Sequence, residues 1–169
     1  LGVLTNAPGF QWHMTNLNNY VNLHPGTTPD NQLKPGVVLK PLGHGSGMLG
    51  LPGDFTSPSR FVRAAFYQTT APDSATGFDA IIQAFHILNS FDIPIGSQHP
   101  KDQIPKGMPS ATQFTAATDQ TALKLYYRTA WNMNIRCIDL MNIDFAKVRY
   151  QSHPLDATQV QPVEAVHVK

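Results

Sequence analysis

The stretch from Leu49 to Phe66, LGLPGDFTSPSRFVRAAF, is the most informative part of this sequence. Glycine and proline residues at positions 50, 52 and 53 interrupt any regular element and predict a turn. Ser57 then suits the N-cap of a helix, and Pro58 suits its first position. The apolar residues that follow recur at helical spacing and predict a buried face: Phe61, Val62, Ala65 and Phe66. The stretch therefore predicts a turn followed by an amphipathic helix.

Arg60 falls in the first turn of this helix, where the positive end of the helix dipole disfavours a cation. A nearby carboxylate or a functional requirement must offset that cost. One interpretation is an ion pair between Asp54 and Arg60 that braces the turn. The other is a site that needs a fixed positive charge, and the spacing alone leaves both interpretations open.

The beginning of the chain, LGVLTNAPGFQWHMTNLNNY, contains a second candidate site residue. Val3 and Leu4 are typical of the end of a buried strand, and the following TNAP predicts the turn that ends it. Asn6 would then lie at a strand end, where binding and catalytic groups are often displayed. Its side-chain amide is able to donate a hydrogen bond to a developing oxyanion. An ordinary Asx turn explains the same residue, so both interpretations stay open.

Together, VLTNAPGFQWHMTNLNNYVNL and GLPGDFTSPSRFVRAAF resemble the choloylglycine hydrolase family. Two further stretches agree with this resemblance, AFHILNSFDIPIG from Ala84 and TQFTAATDQTALKLYYRTAWNMNIRCIDL from Thr112. By this resemblance, residues 1–169 are the C-terminal portion of a single choloylglycine-hydrolase-like domain. The implied fold class is α+β, as part of the four-layer αββα sandwich of N-terminal-nucleophile hydrolases, with antiparallel sheets.

The resemblance implies hydrolysis of linear, non-peptide C–N amides by an N-terminal cysteine. Family members include bile salt hydrolases, penicillin V acylases and acylases that cleave acyl-homoserine lactones. Asn6 matches the family asparagine that helps to hold the oxyanion, and Arg60 matches the arginine beside the nucleophile. Arg63 is expected to have a surface or structural role. The implied partners are a small-molecule amide, the N-terminal segment of the same protein and further copies of it.

The sequence departs from the family at the nucleophile. Leu1 cannot supply a thiol, so the cysteine would lie upstream, together with the other residues that surround it in the family. We therefore expect a segment of a longer protein that is inactive alone. The alternative is a divergent binding domain without catalysis. Cys137, the single cysteine, alternates with Ile135 in an apolar run and is expected to be a small buried hydrophobe.

Composition excludes several other classes of function. The chain has 169 residues with a formal net charge of +1, which provides no electrostatic footprint for nucleic acid or an anionic membrane. The seven histidines are scattered without metal-ligand spacing, so neither a metal nor an organic cofactor is expected. GSGMLG matches the dinucleotide fingerprint formally, but Pro52 and Gly53 follow where that fingerprint requires a helix.

The stretch FDIPIG resembles the Gram-negative, often exported branch of the family and favours a periplasmic location.

The remaining elements follow from periodicity. A helix is predicted after Phe10, a polar loop from His24 to Pro35, and a helix from Thr76 with a capping box to Asp79. The apolar face predicted for that second helix comprises Phe78, Ile81, Ile82, Phe85 and Leu88, with His86 beside it and partly buried. From residue 112 the pattern alternates and predicts a hairpin (113–118 and 122–130), a strand over 135–141 and a fourth strand over 148–151. In the hairpin, Leu123, Leu125 and Tyr127 are predicted to share one face.

Overall fold

The computed structural model describes residues 1–150 and 152–167. The chain forms two compact units, Leu1–Pro72 and the part that begins at Asp73. Helices and antiparallel strands occur together, so the predicted α+β class is confirmed. None of the described helices is long and apolar enough to cross a membrane.

The first unit is built on two helices, α1 (Phe10–Leu17) and α2 (Ser57–Thr70), which pack against each other. The helix predicted after Phe10 is α1, and a short 3₁₀ turn (Asn18–Tyr20) follows it. The core of this unit comes mainly from the predicted face of α2, where Phe61, Val62 and Ala65 are buried. Burial of these side chains is what fixes α2 in place.

Two predictions for the first unit are wrong. Residues 1–5 form no strand, and Leu4 is 82% exposed, because no other described strand pairs with them. The end of the predicted polar loop is instead a strand, β1 (Asn31–Lys34), which forms a hairpin with β2 (Val37–Leu39) just beyond the loop. Its strands are almost wholly exposed, so no alternation between apolar and polar residues marked them in the sequence.

The second unit places α3 (Gly77–Asn89) against a three-stranded antiparallel meander. The strands are β3 (Phe114–Asp119), β4 (Lys124–Thr129) and β5 (Arg136–Asp139). The predicted capping box is confirmed, since the Thr76 side chain accepts a hydrogen bond from the Asp79 amide at 3.1 Å. Ile81 and Phe85 of α3 pack with Tyr126 of β4 to form the core of this unit.

Several details of the second unit correct the sequence-based predictions. Leu125 and Tyr127 lie on the same face of β4, whereas Leu123 precedes the strand; the face that packs against α3 carries Tyr126. Phe78 is more than half exposed, and His86 is exposed rather than partly buried. Residues 148–150 form no strand, and the rest of that predicted strand, position 151, lies outside the described residues.

Candidate active site

The N-terminus of α2 places Arg60 close to the beginning of the chain. Thr56 is the N-cap, one residue earlier than the sequence indicates, and Ser57 is the first helical residue. The Arg60 amide donates to the Thr56 carbonyl at 3.0 Å, which fixes the backbone of Arg60 in the first turn. Its side chain is half-buried.

The two candidate site residues are in direct contact. Arg60 Nη2 donates a hydrogen bond to Asn6 Oδ1 over 2.7 Å, although the two residues are 54 positions apart. The ion pair between Asp54 and Arg60 is not formed, since no ion pair among the described residues joins these side chains. The simple bracing interpretation of Arg60 is therefore wrong, and the cation reaches across to the chain segment that carries Asn6.

This contact fixes the direction of the Asn6 amide. A guanidinium group only donates hydrogen bonds, so the oxygen of the Asn6 amide must face Arg60. The Nδ2 group then has two N–H donors that point elsewhere, and no hydrogen bond of the described residues uses them. Asn6 is exposed, so these donors are accessible to an incoming oxygen atom. In this pair, the Asn6 amide offers hydrogen-bond donors, and the Arg60 cation sets the orientation of that amide.

Arg60 also retains unused hydrogen-bonding capacity. Its Nε atom is buried and has no hydrogen-bond partner among the described residues. Buried polar atoms are nearly always paired in folded proteins, so this N–H remains able to donate to a further acceptor. No ion pair among the described residues neutralises the positive charge of Arg60.

Asp54 stabilises the turn before α2 instead of neutralising Arg60. Its Oδ1 accepts from the Thr56 amide at 2.9 Å, and its Oδ2 accepts from the Ser59 hydroxyl at 2.6 Å. The hydrogen bond from Ser59, followed by those from Thr56, lowers the pKa of Asp54 from 3.8 to about 2. The ionised carboxylate is therefore the form that holds the turn.

This lowered pKa predicts an acid-dependent loss of stability. Between pH about 4 and about 2 the folded protein binds fewer protons at Asp54 than the unfolded chain does, so this contribution falls as the pH falls. The contribution of Asp54 to stability is complete above the pKa that Asp54 has in the unfolded chain. It is lost as the pH falls through the pKa that Asp54 has in the folded protein. We expect Asp54→Asn to reduce the free energy of unfolding at neutral pH, and the difference from the natural protein to shrink on acidification.

Denaturant titrations from about pH 6 to about pH 2.5 measure that difference. The matched control is Asp30→Asn, which changes an exposed aspartate in the same unit. A difference between the natural protein and Asp54→Asn that stays constant across this range would show that the Asp54 carboxylate does not stabilise the turn.

Arg63 is one turn further along α2 and has the structural role that the sequence suggests. Only 4% of it is exposed, and its Nη1 donates to the carbonyls of Pro52 and Asp54 at 2.7 and 2.6 Å. Burial lowers the pKa of Arg63 below its ordinary value, although an arginine keeps its charge under all ordinary conditions. Arg63 thus fixes the Gly-Pro turn, while Arg60 remains available for the site.

His13 is a residue of this region that the sequence analysis missed. It is 1% exposed, stacks on Phe61 with ring centroids 4.4 Å apart, and its Nε2 lies 3.1 Å from Thr5 Oγ1. Its position between Phe10 and Leu17 at helical spacing was a usable signal.

Other candidate chemistry is not supported by the geometry. Cys137 lies on β5 and is exposed, so the prediction that it is buried is wrong; β5 is an edge strand with no neighbour on one side among the described strands. No three His, Cys, Asp or Glu side chains in residues 1–150 and 152–167 are grouped to hold a metal ion. Residues 51–55, after GSGMLG, form no helix, which is inconsistent with a dinucleotide fingerprint.

Comparison with known proteins identifies the family to which this chain belongs. A profile of the family described as "Linear amide C-N hydrolases, choloylglycine hydrolase family" matches residues 1–159. The chain belongs to this family. The resemblance noted from the two N-terminal motifs is thereby confirmed.

Individual relatives agree with the family assignment. The chain is 38% identical over 140 residues to the "Bile salt hydrolase/transferase" of Clostridium perfringens, covering 83% of this chain and 41% of that protein. It is 36% identical over 155 residues to the protein of the same name from Lactiplantibacillus plantarum, covering 92% of this chain and 46% of that protein. The chain therefore spans about half the length of the curated relatives it matches.

Solved structures give the same fold. A mutant of the conjugated bile acid hydrolase from Clostridium perfringens matches with a TM-score of 0.80 at 33% identity, covering 98% of this chain and 48% of that chain. Penicillin V acylase from Agrobacterium tumefaciens matches with a TM-score of 0.55 at 23% identity, covering 83% of this chain and 36% of that chain, and shows likeness of fold alone. The fold is that of the N-terminal-nucleophile hydrolases, as predicted.

Proposed function

We propose that this chain is the C-terminal portion, residues 1–169, of a single-domain cysteine hydrolase that cleaves linear C–N amides of the conjugated bile acid type. The observation that carries the proposal is the 2.7 Å contact from Arg60 Nη2 to Asn6 Oδ1, which leaves the Asn6 Nδ2 donors accessible. The family assignment and the names of the bile salt hydrolase relatives support the reaction class.

The surface of the chain supports its placement within a larger domain. Large apolar side chains are exposed well beyond single scattered positions, with Leu42, Val21 and Leu4 each more than four-fifths accessible. Exposed apolar surface of this kind is typical of a face that another part of the protein covers. Relatives that are about twice as long have the additional chain needed to cover it.

In the proposed reaction, the thiolate of an N-terminal cysteine in the complete protein attacks the amide carbonyl. A C–S bond forms, the carbonyl electrons move to oxygen, and Asn6 Nδ2 donates a hydrogen bond to that oxyanion. The C–N bond then breaks, and the amine leaves with a proton supplied by the α-ammonium group of that N-terminal cysteine. Water attacks the thioester, which releases the carboxylic acid and restores the thiol. Arg60 holds the Asn6 amide and supplies a fixed positive charge that favours the thiolate.

Conjugated bile acids are the proposed substrates because three relatives with 36–39% identity are named as bile salt or conjugated bile acid hydrolases. Penicillin V and acyl-homoserine lactones remain alternative substrates of the same reaction type. A homo-oligomeric state and a periplasmic location stay predictions.

Amine release by the complete protein tests this proposal. Glycine and taurine from bile acid conjugates, 6-aminopenicillanic acid from penicillin V, and homoserine lactone from its acyl derivative are each quantified after incubation. We expect the bile acid conjugates to react fastest, and N-terminal sequencing of the active protein to begin with cysteine. Faster release from either other substrate would reassign the substrate class. No release from any of them, together with no N-terminal cysteine, would favour the non-catalytic binding domain.

A further inference from the structure

Two hydrogen bonds flank Asn6 and attach its segment to the helices of the first unit. On one side, Thr5 Oγ1 lies 3.1 Å from His13 Nε2 of α1. On the other side, the Ala7 amide donates to Ser57 Oγ of α2 over 3.0 Å. Residues 1–5 have no regular secondary structure, so no ladder of backbone hydrogen bonds fixes this segment. These two contacts are what hold the backbone on either side of Asn6.

Both of these hydrogen bonds connect the Asn6 segment to the beginning of α2, where Arg60 lies. Ser57 lies one helical turn before Arg60 on the same helix. His13 stacks on Phe61, the residue directly after Arg60, with the two rings only 6° from parallel. Contacts on both sides of Asn6 therefore link its segment to α2, the helix that carries Arg60. Ala7 is linked directly through Ser57, and Thr5 is linked through His13 and Phe61.

The choice of histidine at position 13 is not explained by packing. His13 Nδ1 is buried and has no hydrogen-bond partner among the described residues, which costs free energy. A phenylalanine would stack on Phe61 without leaving a buried polar atom unpaired. What histidine adds is the Nε2 contact with Thr5, beside Asn6.

We propose that Thr5, His13 and Ser57 are positioning residues that set the Asn6 amide on the Arg60 guanidinium. This inference rests on the proposed function, in which Asn6 stabilises the oxyanion. A donor must lie within a narrow range of distance and angle to stabilise an oxyanion, so anchors that fix its backbone contribute to turnover without touching the substrate.

The test uses variants that remove each contact with little change in shape. Thr5→Val removes the hydroxyl, His13→Phe keeps the ring stack and removes Nε2, and Ser57→Ala removes the acceptor for the Ala7 amide. Thr5→Ser keeps the hydroxyl and is the rescue variant. Thr15→Val is the matched control, because Thr15 is an exposed threonine of α1 whose hydroxyl bonds within its own helix.

We expect kcat of the complete protein to fall about 10- to 100-fold in Thr5→Val and His13→Phe, with KM changed less than about twofold. Thr5→Ser is expected to recover most of the loss, and Thr15→Val to behave like the natural protein. A purely structural role would lower the melting temperature and leave kcat of the folded protein unchanged. That result in both Thr5→Val and His13→Phe would overturn the inference.

Crystal structures of the same variants make the test independent of catalysis. The inference predicts that the contact between Arg60 Nη2 and Asn6 Oδ1 lengthens or breaks in Thr5→Val and His13→Phe. A contact that stays at 2.7 Å would overturn it. If the natural protein hydrolyses none of the amides, the proposed function fails, while this distance still decides whether the anchors position Asn6.

Discussion

We expect Asn6→Ala to lower kcat of the complete protein by about 100- to 1,000-fold and to leave KM nearly unchanged, because a single oxyanion donor is worth about that factor. In the proposed mechanism the Nδ2 group acts on charge that develops only in the transition state, so its loss should affect turnover more than substrate binding. The variant should fold normally, since Asn6 is exposed and contributes only its side-chain bond to Arg60. Steady-state kinetics on the preferred amide measure the effect.

Arg60→Ala is expected to reduce kcat by at least about 100-fold through the same site, because the Asn6 amide loses the partner that orients it. Asn31→Ala and Lys34→Ala are the matched controls, since they remove an exposed amide and an exposed cation from β1 of the same unit. Near-natural turnover of either Asn6→Ala or Arg60→Ala would refute the role assigned to that residue.

Phe61→Ala is expected to reduce the free energy of unfolding by about 3–5 kcal/mol, the usual cost of truncating a fully buried phenylalanine. Phe61 has no exposed surface and contacts His13 in a ring stack and Phe10 edge to face at 6.0 Å. His13 stacks on Phe61 and contacts Thr5 beside Asn6, so activity should fall together with stability. Denaturant titration of the purified variant measures the change.

Two variants of the same helix calibrate this effect. Phe61→Leu fills most of the space and should cost clearly less than Phe61→Ala. Gln68→Ala changes an exposed residue of α2 and should fall within about 0.5 kcal/mol of the natural protein. A Phe61→Ala variant as stable as Gln68→Ala would mean that α2 is not held by its apolar face.

The helices were predictable because their signals are local. The Gly-Pro turn, the proline in the first turn and the apolar spacing locate α2 to within one residue of its observed beginning. The capping box at Thr76 likewise locates the beginning of α3, whose N-cap is Thr76. By contrast, β1 and β2 are exposed on nearly every residue, and strands without a buried face leave no period to detect.

The contact between the two candidate site residues could not be predicted from the sequence. Asn6 and Arg60 came from a family resemblance, whereas their contact joins residues far apart in sequence and depends on how α1 and α2 pack. The local rule that pairs a cation with the nearest carboxylate favoured Asp54 for Arg60. Instead, the Ser59 hydroxyl and the Thr56 amide donate hydrogen bonds to Asp54. The spacing of charged residues in the sequence does not reveal that these uncharged donors compete with Arg60 for the carboxylate. His13 was missed because its role depends on a ring stack with α2.

A crystal structure of the complete protein with a tetrahedral-intermediate analogue bound tests the central claim most directly. The account predicts the analogue oxygen within about 2.7–3.1 Å of Asn6 Nδ2, while Asn6 Oδ1 still accepts a hydrogen bond from Arg60. An analogue oxygen held by other donors, with Asn6 Nδ2 beyond about 4 Å, would contradict it, because no hydrogen bond spans that distance.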